Sequence, residues 1–180
     1  MDAKECIEMR RSVRRYTDDL VDHETIEKII DLARKAPSWK NSQTARYIIV
    51  EDVAKIQKIA EEAVLGFEGN MKTLQKAKQL LVLTSVAKRS GYERDGSFTT
   101  TKEDRWEMFD AGIAAQTFSL AATIYGVGSV MMGIYDEAKV KEIIEVPEGQ
   151  NVSCLISFGY PKFVPDAVPR KEVADLLSYR

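Results

Sequence analysis

Four arginines and a serine fall within six positions near the N-terminus, in Arg10-Arg11-Ser12-Val13-Arg14-Arg15. A guanidinium is a planar fork of donors that meets phosphate oxygens two at a time, and a hydroxyl among such forks adds a neutral donor. The types and spacing suit a phosphate monoester. They also suit a solvated basic helix end or a weak nucleic-acid patch. Two further polar groups lie far away in sequence. Ser38-Trp39-Lys40-Asn41-Ser42-Gln43 is dense in donors and acceptors around one large ring, and Arg170-Lys171 is a basic pair near the C-terminus. A phosphate takes several cations, and a heteroaromatic ring takes Asn, Gln and backbone donors. The three groups together fit a phosphorylated heteroaromatic cofactor.

Other chemistry is thinly represented. His23 is the single histidine and opens a helical stretch, so metal sites and triads find little support. Cys6 and Cys154 have no paired spacing and read as small apolar residues. The carboxylates sit mostly on helix faces. With no convincing acid, base or nucleophile of its own, the chain as an enzyme would rely on a cofactor.

The 180 residues are enough for one domain with a proper core, and 44% apolar with 30% charged residues is ordinary for a soluble globular protein. A net charge of −2 weighs against a nucleic-acid binder, whose domain is usually basic. No apolar leader or bilayer-length run is present, which leads to the expectation of a cytoplasmic protein with no membrane partner.

The elements that must position these residues follow from periodicity and punctuation. A short helix over 2–11 delivers the arginines. Asp22 caps a helix to about Lys35, with Val21 stapled onto Ile26. Arg46–Glu51 reads as a strand and Asp52 opens a helix to about Val64. Residues 66–71 read as a loop, followed by a helical turn at Thr73–Lys78. Leu80–Val86 is apolar enough for a buried central strand. Residues 88–102 form a polar, glycine-punctuated loop. The longest helix, Lys102 to Tyr125, is lined with alanine, as expected of a buried spine or a close subunit contact. Ser129–Tyr135 and Asn151–Phe158 read as strands with a helix from Asp136 to Ile144 between them, and an apolar helical end closes the tail. Gly126-Val127-Gly128 closes a helix and opens a strand, the reverse of a dinucleotide fingerprint, so those glycines read mainly as caps. Gly133 interrupts a strand pattern, where a ligand can approach the backbone.

In order along the chain, Arg10–Tyr16, Ala36–Gln43, Asp110–Gln116, Gly126–Gly133, Phe158–Pro161 and Pro169-Arg170-Lys171 resemble the nitroreductase family of flavin-dependent oxidoreductases. The resemblance implies an α+β fold, a central mostly antiparallel sheet flanked by helices. It implies an intertwined homodimer with FMN at the interface, and a tail from about residue 160 packed on the partner subunit. It also implies ping-pong transfer of two electrons from NADH or NADPH through flavin N5 to nitroaromatic, quinone or similar small-molecule acceptors. By position, Arg10, Ser12, Arg170 and Lys171 would hold the FMN phosphate, with Arg11 contributing. Arg14 would lie by the N1–O2 side of the ring, where its charge stabilises negative flavin. Ser38, Trp39, Asn41 and Gln43 would come from the other subunit. Asn70 would meet the pyrimidine edge, and Met131, Met132 and Gly133 would run along the ring with a backbone N–H near N5. A flavin-holding or sensing protein without efficient turnover, and a reductive-dehalogenase type of member, are the alternative readings.

The chain departs from the family in two respects. Thr44-Ala45 stands where Pro-Trp is common, and only residues 64–75 and 88–105 can stand in for the helical insertions that shape the substrate pocket. Phe67, Tyr92, Phe98 and Trp106 are candidate pocket aromatics, with core packing the expected role of Trp106.

Overall fold

The computed structural model describes all 180 residues. Four strands, β1 (Ala45–Val50), β2 (Gln79–Val86), β3 (Gly128–Met132) and β4 (Gln150–Gly159), form one sheet in the order β1-β2-β4-β3. Every neighbouring pair is antiparallel. Seven helices surround it: α1 (Ala3–Met9), α2 (His23–Ala33), α3 (Val53–Glu62), α4 (Glu68–Leu74), α5 (Arg105–Ile124), α6 (Glu137–Ile144) and α7 (Val173–Leu176). No helix is long and apolar enough to cross a membrane.

The continuous apolar run in β2 is explained by cover on both faces. Leu81 and Leu83 join a core with Ile26 and Ile29 of α2 and with Ala114, Phe118 and Ala122 of α5. Leu80 and Val82 join the opposite core, with Ile56 and Ile59 of α3, Leu74 of α4 and Val140 of α6. The β2–β4 register shifts between Leu83 and Thr84, which pair with Cys154 and Val152. The extra residue, Ser153, lets Val152 and Leu155 reach the same core although they are three positions apart.

The helix starts follow the aspartates. Asp22 accepts from Thr25 N at 2.7 Å, Asp52 from Ala54 N at 2.9 Å and Asp136 from Lys139 N at 3.1 Å. Val21 is buried in the same core as Ile26, as the staple predicts.

The segment expected to be a loop at 66–71 is the exception: α4 begins at Glu68, not at Thr73. Two glycines and an asparagine argue for a loop locally. The burial of Asn70, Thr73 and Leu74 on one helical side outweighs them. The strand expected to reach Tyr135 stops at Met132, so Gly133 lies just past the end of β3 and does not interrupt it.

Candidate functional site

The N-terminal arginines leave α1 at Arg10, whose N–H still bonds Cys6 O at 3.1 Å while its backbone turns extended, at φ −55° and ψ 129°. The chain then runs beside β3, where Ser12 bridges Ser129 and Val13 N donates to Ser129 O at 3.0 Å. This contact sorts the side chains. Val13 is buried against the bare α-carbon of Gly128, and a Cβ there would stand 2.7 Å from Val13. Arg11 shares a hollow with Val13, Gly126 and Gly128, and its guanidinium folds back onto the α1 end, donating to Glu8 O at 2.6 Å and Arg10 O at 2.9 Å. Arg15 lines a separate cavity of about 910 Å3 with Lys76, Lys78 and Lys162. Arg10, Ser12 and Arg14 line neither. Arg14 donates to Ser12 O at 3.2 Å.

The tail begins against the same segment. Thr17 N donates to Tyr160 O and Lys162 N to Arg15 O, both at 2.9 Å, and Val164 reaches the hollow that holds Arg11. The two ends of the chain therefore run together as far as residue 164. Beyond it, Arg170 and Lys171 are exposed.

At the far end of β3 the side chains alternate. Met131 is 39% exposed and Met132, at 3%, belongs to the core, so the thioether of Met132 is turned away from any ligand on the open face. Nothing lies within 4 Å of where a Cβ on Gly133 would be. Asn70 Nδ2 donates to Ile134 O at 3.1 Å, which holds α4 against this open backbone.

The Ser38–Gln43 loop makes a single 3-10 turn at Trp39–Asn41. Lys40, Asn41 and Gln43 all have positive φ, at 44°, 55° and 49°. Such conformations cost roughly 1 kcal/mol or more each and persist only where neighbours hold them. Here Ser38 Oγ accepts from Gln43 N at 2.8 Å, and Arg46 donates to Gln43 O at 2.9 Å. The third anchor is Asp110, which opens the Asp110–Gln116 motif but carries no anchoring role in the sequence reading. It is 5% exposed on α5, and its carboxylate accepts from Trp39 N at 2.9 and 3.1 Å and from Ser90 Oγ at 2.7 Å. Its signal in sequence is a carboxylate next to the alanine stripe of the long helix, one of two buried carboxylates on α5 with Glu107.

Trp106 is not a core residue. It is half-buried, outside both cores, with its ring 4.6 Å from Trp39 and 5.3 Å from Phe109. Tyr92 and Phe98 pair at 4.9 Å within the 88–104 loop, and Phe67 lies over Gly69.

No side chain near these groups is poised as a nucleophile or base. Burial pushes the Cys154 thiol up to about 11 and drives the Tyr16 hydroxyl well above its ordinary value. The single hydroxyl hydrogen of Tyr16 is shared between Val13 O at 2.7 Å and Ser157 O at 2.9 Å. His23 is bonded to Glu51 at 2.9 Å, which raises its pKa, so it sits in a surface ion pair.

Comparison with known proteins places the chain in a family. Residues 7–160 match the family model described as Nitroreductase family. The chain belongs to the nitroreductase family. An Archaeoglobus fulgidus protein, provisionally named an NADH dehydrogenase/NAD(P)H nitroreductase, is 31% identical over 187 residues, covering 94% of this chain and 99% of its own length. A nitroreductase family protein of Clostridium novyi NT superposes with a TM-score of 0.78 at 27% identity, over 90% of this chain and 86% of that one. A protein of Desulfovibrio desulfuricans, provisionally named a nitroreductase and solved in complex with FMN, has the same fold, with a TM-score of 0.75 at 22% identity over 100% of this chain and 98% of its own. Within the nitroreductase match lie the N-terminal arginines from Arg10, the Trp39 loop, α5 and Gly133; Arg170 and Lys171 lie beyond it.

Proposed function

We propose that the chain is an FMN-dependent oxidoreductase that moves two electrons from NADH or NADPH to a small acceptor such as a nitroaromatic or a quinone. The whole of 1–180 would act as one domain within a homodimer. The observation that carries this reading is the run from Arg10 and Ser12, bonded beside β3, to the bare backbone of Gly133. The run offers cations and a hydroxyl at one end and an uncovered, side-chain-free surface at the other. A flat ring needs such a surface, and a Cβ at Gly133 would project into that open space.

The residues present fit FMN. Arg10 and Ser12 would hold its phosphate, joined by Arg170 and Lys171, which are exposed on the tail beyond residue 164. Arg14 would supply a fixed positive charge toward the ring, which stabilises negative charge there. Asn70 would orient the pyrimidine edge, and the backbone at Met131–Gly133 would line the ring. Arg11 and Met132 would contribute main chain only, because their side chains are engaged elsewhere. Ser38, Trp39, Asn41 and Gln43 would reach the site from the partner subunit. FMN bound there would supply two-electron redox chemistry between the nicotinamide donor and the acceptor.

The decisive assay is oxidation of NADH and NADPH by the FMN-loaded protein across nitroaromatic and quinone acceptors. Acceptor-dependent oxidation is expected. A protein that retains FMN yet oxidises neither donor faster with any acceptor would overturn turnover as its role.

The homodimer is supported by the outer side of α5. Met108, Phe109, Gly112, Ile113, Gln116 and Thr117 line a shallow groove there, with Phe109 59% exposed. A large apolar patch on an otherwise charged surface marks an association site. The tail adds Val168, Val173, Leu176 and Tyr179, all exposed and suited to packing on a partner. Phe109→Asp is expected to shift sedimentation from dimer to monomer and to release FMN with it. Monomers that keep FMN would refute a site shared between subunits.

A further inference from the structure

We propose that Asp110 is a positioning residue that locks the Trp39 loop to the 88–104 loop, so that the cofactor side and the acceptor side of the site move as one unit. Assigning these sides rests on the function proposed above. The coupling itself rests on geometry alone.

One carboxylate joins the two loops. Both of its oxygens accept from Trp39 N, and one also accepts from Ser90 Oγ. No cation pairs with it, so this buried group depends on these donors for its charge to be tolerated. Each loop is then tied a second time. Trp39 packs at a tilt on Trp106, whose Nε1 donates to Thr100 Oγ1 at 3.0 Å within the 88–104 loop. Lys40 reaches across to Glu93 at 3.1 Å. At the base of the second loop, Lys88 N donates to Glu107 Oε1 at 2.6 Å, one helical turn before Asp110. Gly91 packs so tightly on this base that a Cβ would meet Glu103 O at 2.4 Å.

Neither loop belongs to the sheet, and neither is held by a large apolar core. The three positive-φ residues of the Trp39 loop need external restraint, and Asp110 is the restraint shared with Ser90. Loosening one loop must therefore loosen the other. An acceptor seated against Tyr92 and Phe98 would thus be sensed at Trp39, and the cofactor's occupancy would be sensed at the 88–104 loop.

The test is amide hydrogen exchange on the intact chain. The Trp39, Asn41, Ser42 and Gln43 amides are all bonded and report on the first loop. Asp110→Asn, which keeps the shape but turns one acceptor into a donor, is expected to speed exchange about tenfold in both loops, the loss of one charge-assisted bond. Ser90→Ala lies outside the first loop, yet it is expected to speed exchange at those four amides about threefold. Adding it to Asp110→Asn should give little more, because both act through one link. The FMN dissociation constant of apo-protein should rise in the same order, with Asp110→Ala weaker than Asp110→Asn. Unchanged exchange at 39–43 in Ser90→Ala overturns the coupling, whatever FMN does. Faster exchange with unchanged FMN affinity and acceptor KM leaves Asp110 a purely structural group and overturns its positioning role. An unsubstituted protein that takes up no FMN shows instead that the function proposed above is wrong.

Discussion

Arg10→Ala is expected to raise the FMN dissociation constant by about tenfold or more, while Arg15→Ala changes it by less than about twofold. The two residues are five positions apart in one cationic run and look equivalent in sequence. The difference comes from where the chain turns. Arg10 ends α1, is half-buried, and its guanidinium has no partner within the chain. Arg15 lies past the Ser12–Ser129 bridge, in the cavity with Lys76, Lys78 and Lys162. Removing a charge-assisted bond to a phosphate costs roughly 1.5–3 kcal/mol, and about 1.4 kcal/mol is tenfold in affinity. Removing a cation from another cavity acts only through the screened long-range field. Fluorescence titration of apo-protein with FMN reads both values, and equal losses would contradict the placement of the phosphate. Arg11→Ala should fall between them, since that side chain braces α1 and leaves only its main chain for the ligand.

The second large effect lies at a residue with no side chain. Gly128→Ala is expected to destabilise the fold by roughly 1–3 kcal/mol, the usual cost of overpacking. It should also weaken FMN binding by at least about tenfold, because Arg10 and Ser12 move with Val13. A Cβ at position 128 would stand 2.7 Å from both Cβ and Cγ2 of Val13 and 2.9 Å from Cγ1. Val13 is buried, with Tyr16 Oη bonded to its carbonyl, so it has little room to retreat. The N-terminal segment must then separate from Ser129 and carry its cations with it. The control is Gly126→Ala. Gly126 sits at φ +71° with open space around it and terminates α5. Alanine there costs about 1 kcal/mol in backbone strain but pushes on nothing. Thermal unfolding together with FMN titration separates the two variants. Gly128→Ala with normal FMN affinity would show that the strand contact does not position the arginines.

Sequence alone was sufficient for much of this protein. The capping aspartates, the 3.6-residue stripes and the double-sided apolar run of β2 are local signals, so four strands and most helices are legible without coordinates. The order of the motifs was enough to point to the nitroreductase family, and the match over residues 7–160 bears this out. Where local signals conflicted with burial, as at Glu68–Leu74, the buried face prevailed and the expected loop became a helix. Tertiary structure alone decided the rest. It separated Arg10, Ser12 and Arg14 from Arg11 and Arg15, because facing depends on one strand contact at Ser129. It assigned Gly126 to a helix end and Gly128 to a close approach, although the two look alike in sequence. It turned Met132 into the core, moved Trp106 onto Trp39, and brought Asp110 to Trp39 and Ser90. A carboxylate's partners come from loops 20 and 71 residues away, and no local pattern of spacing encodes a meeting over such distances.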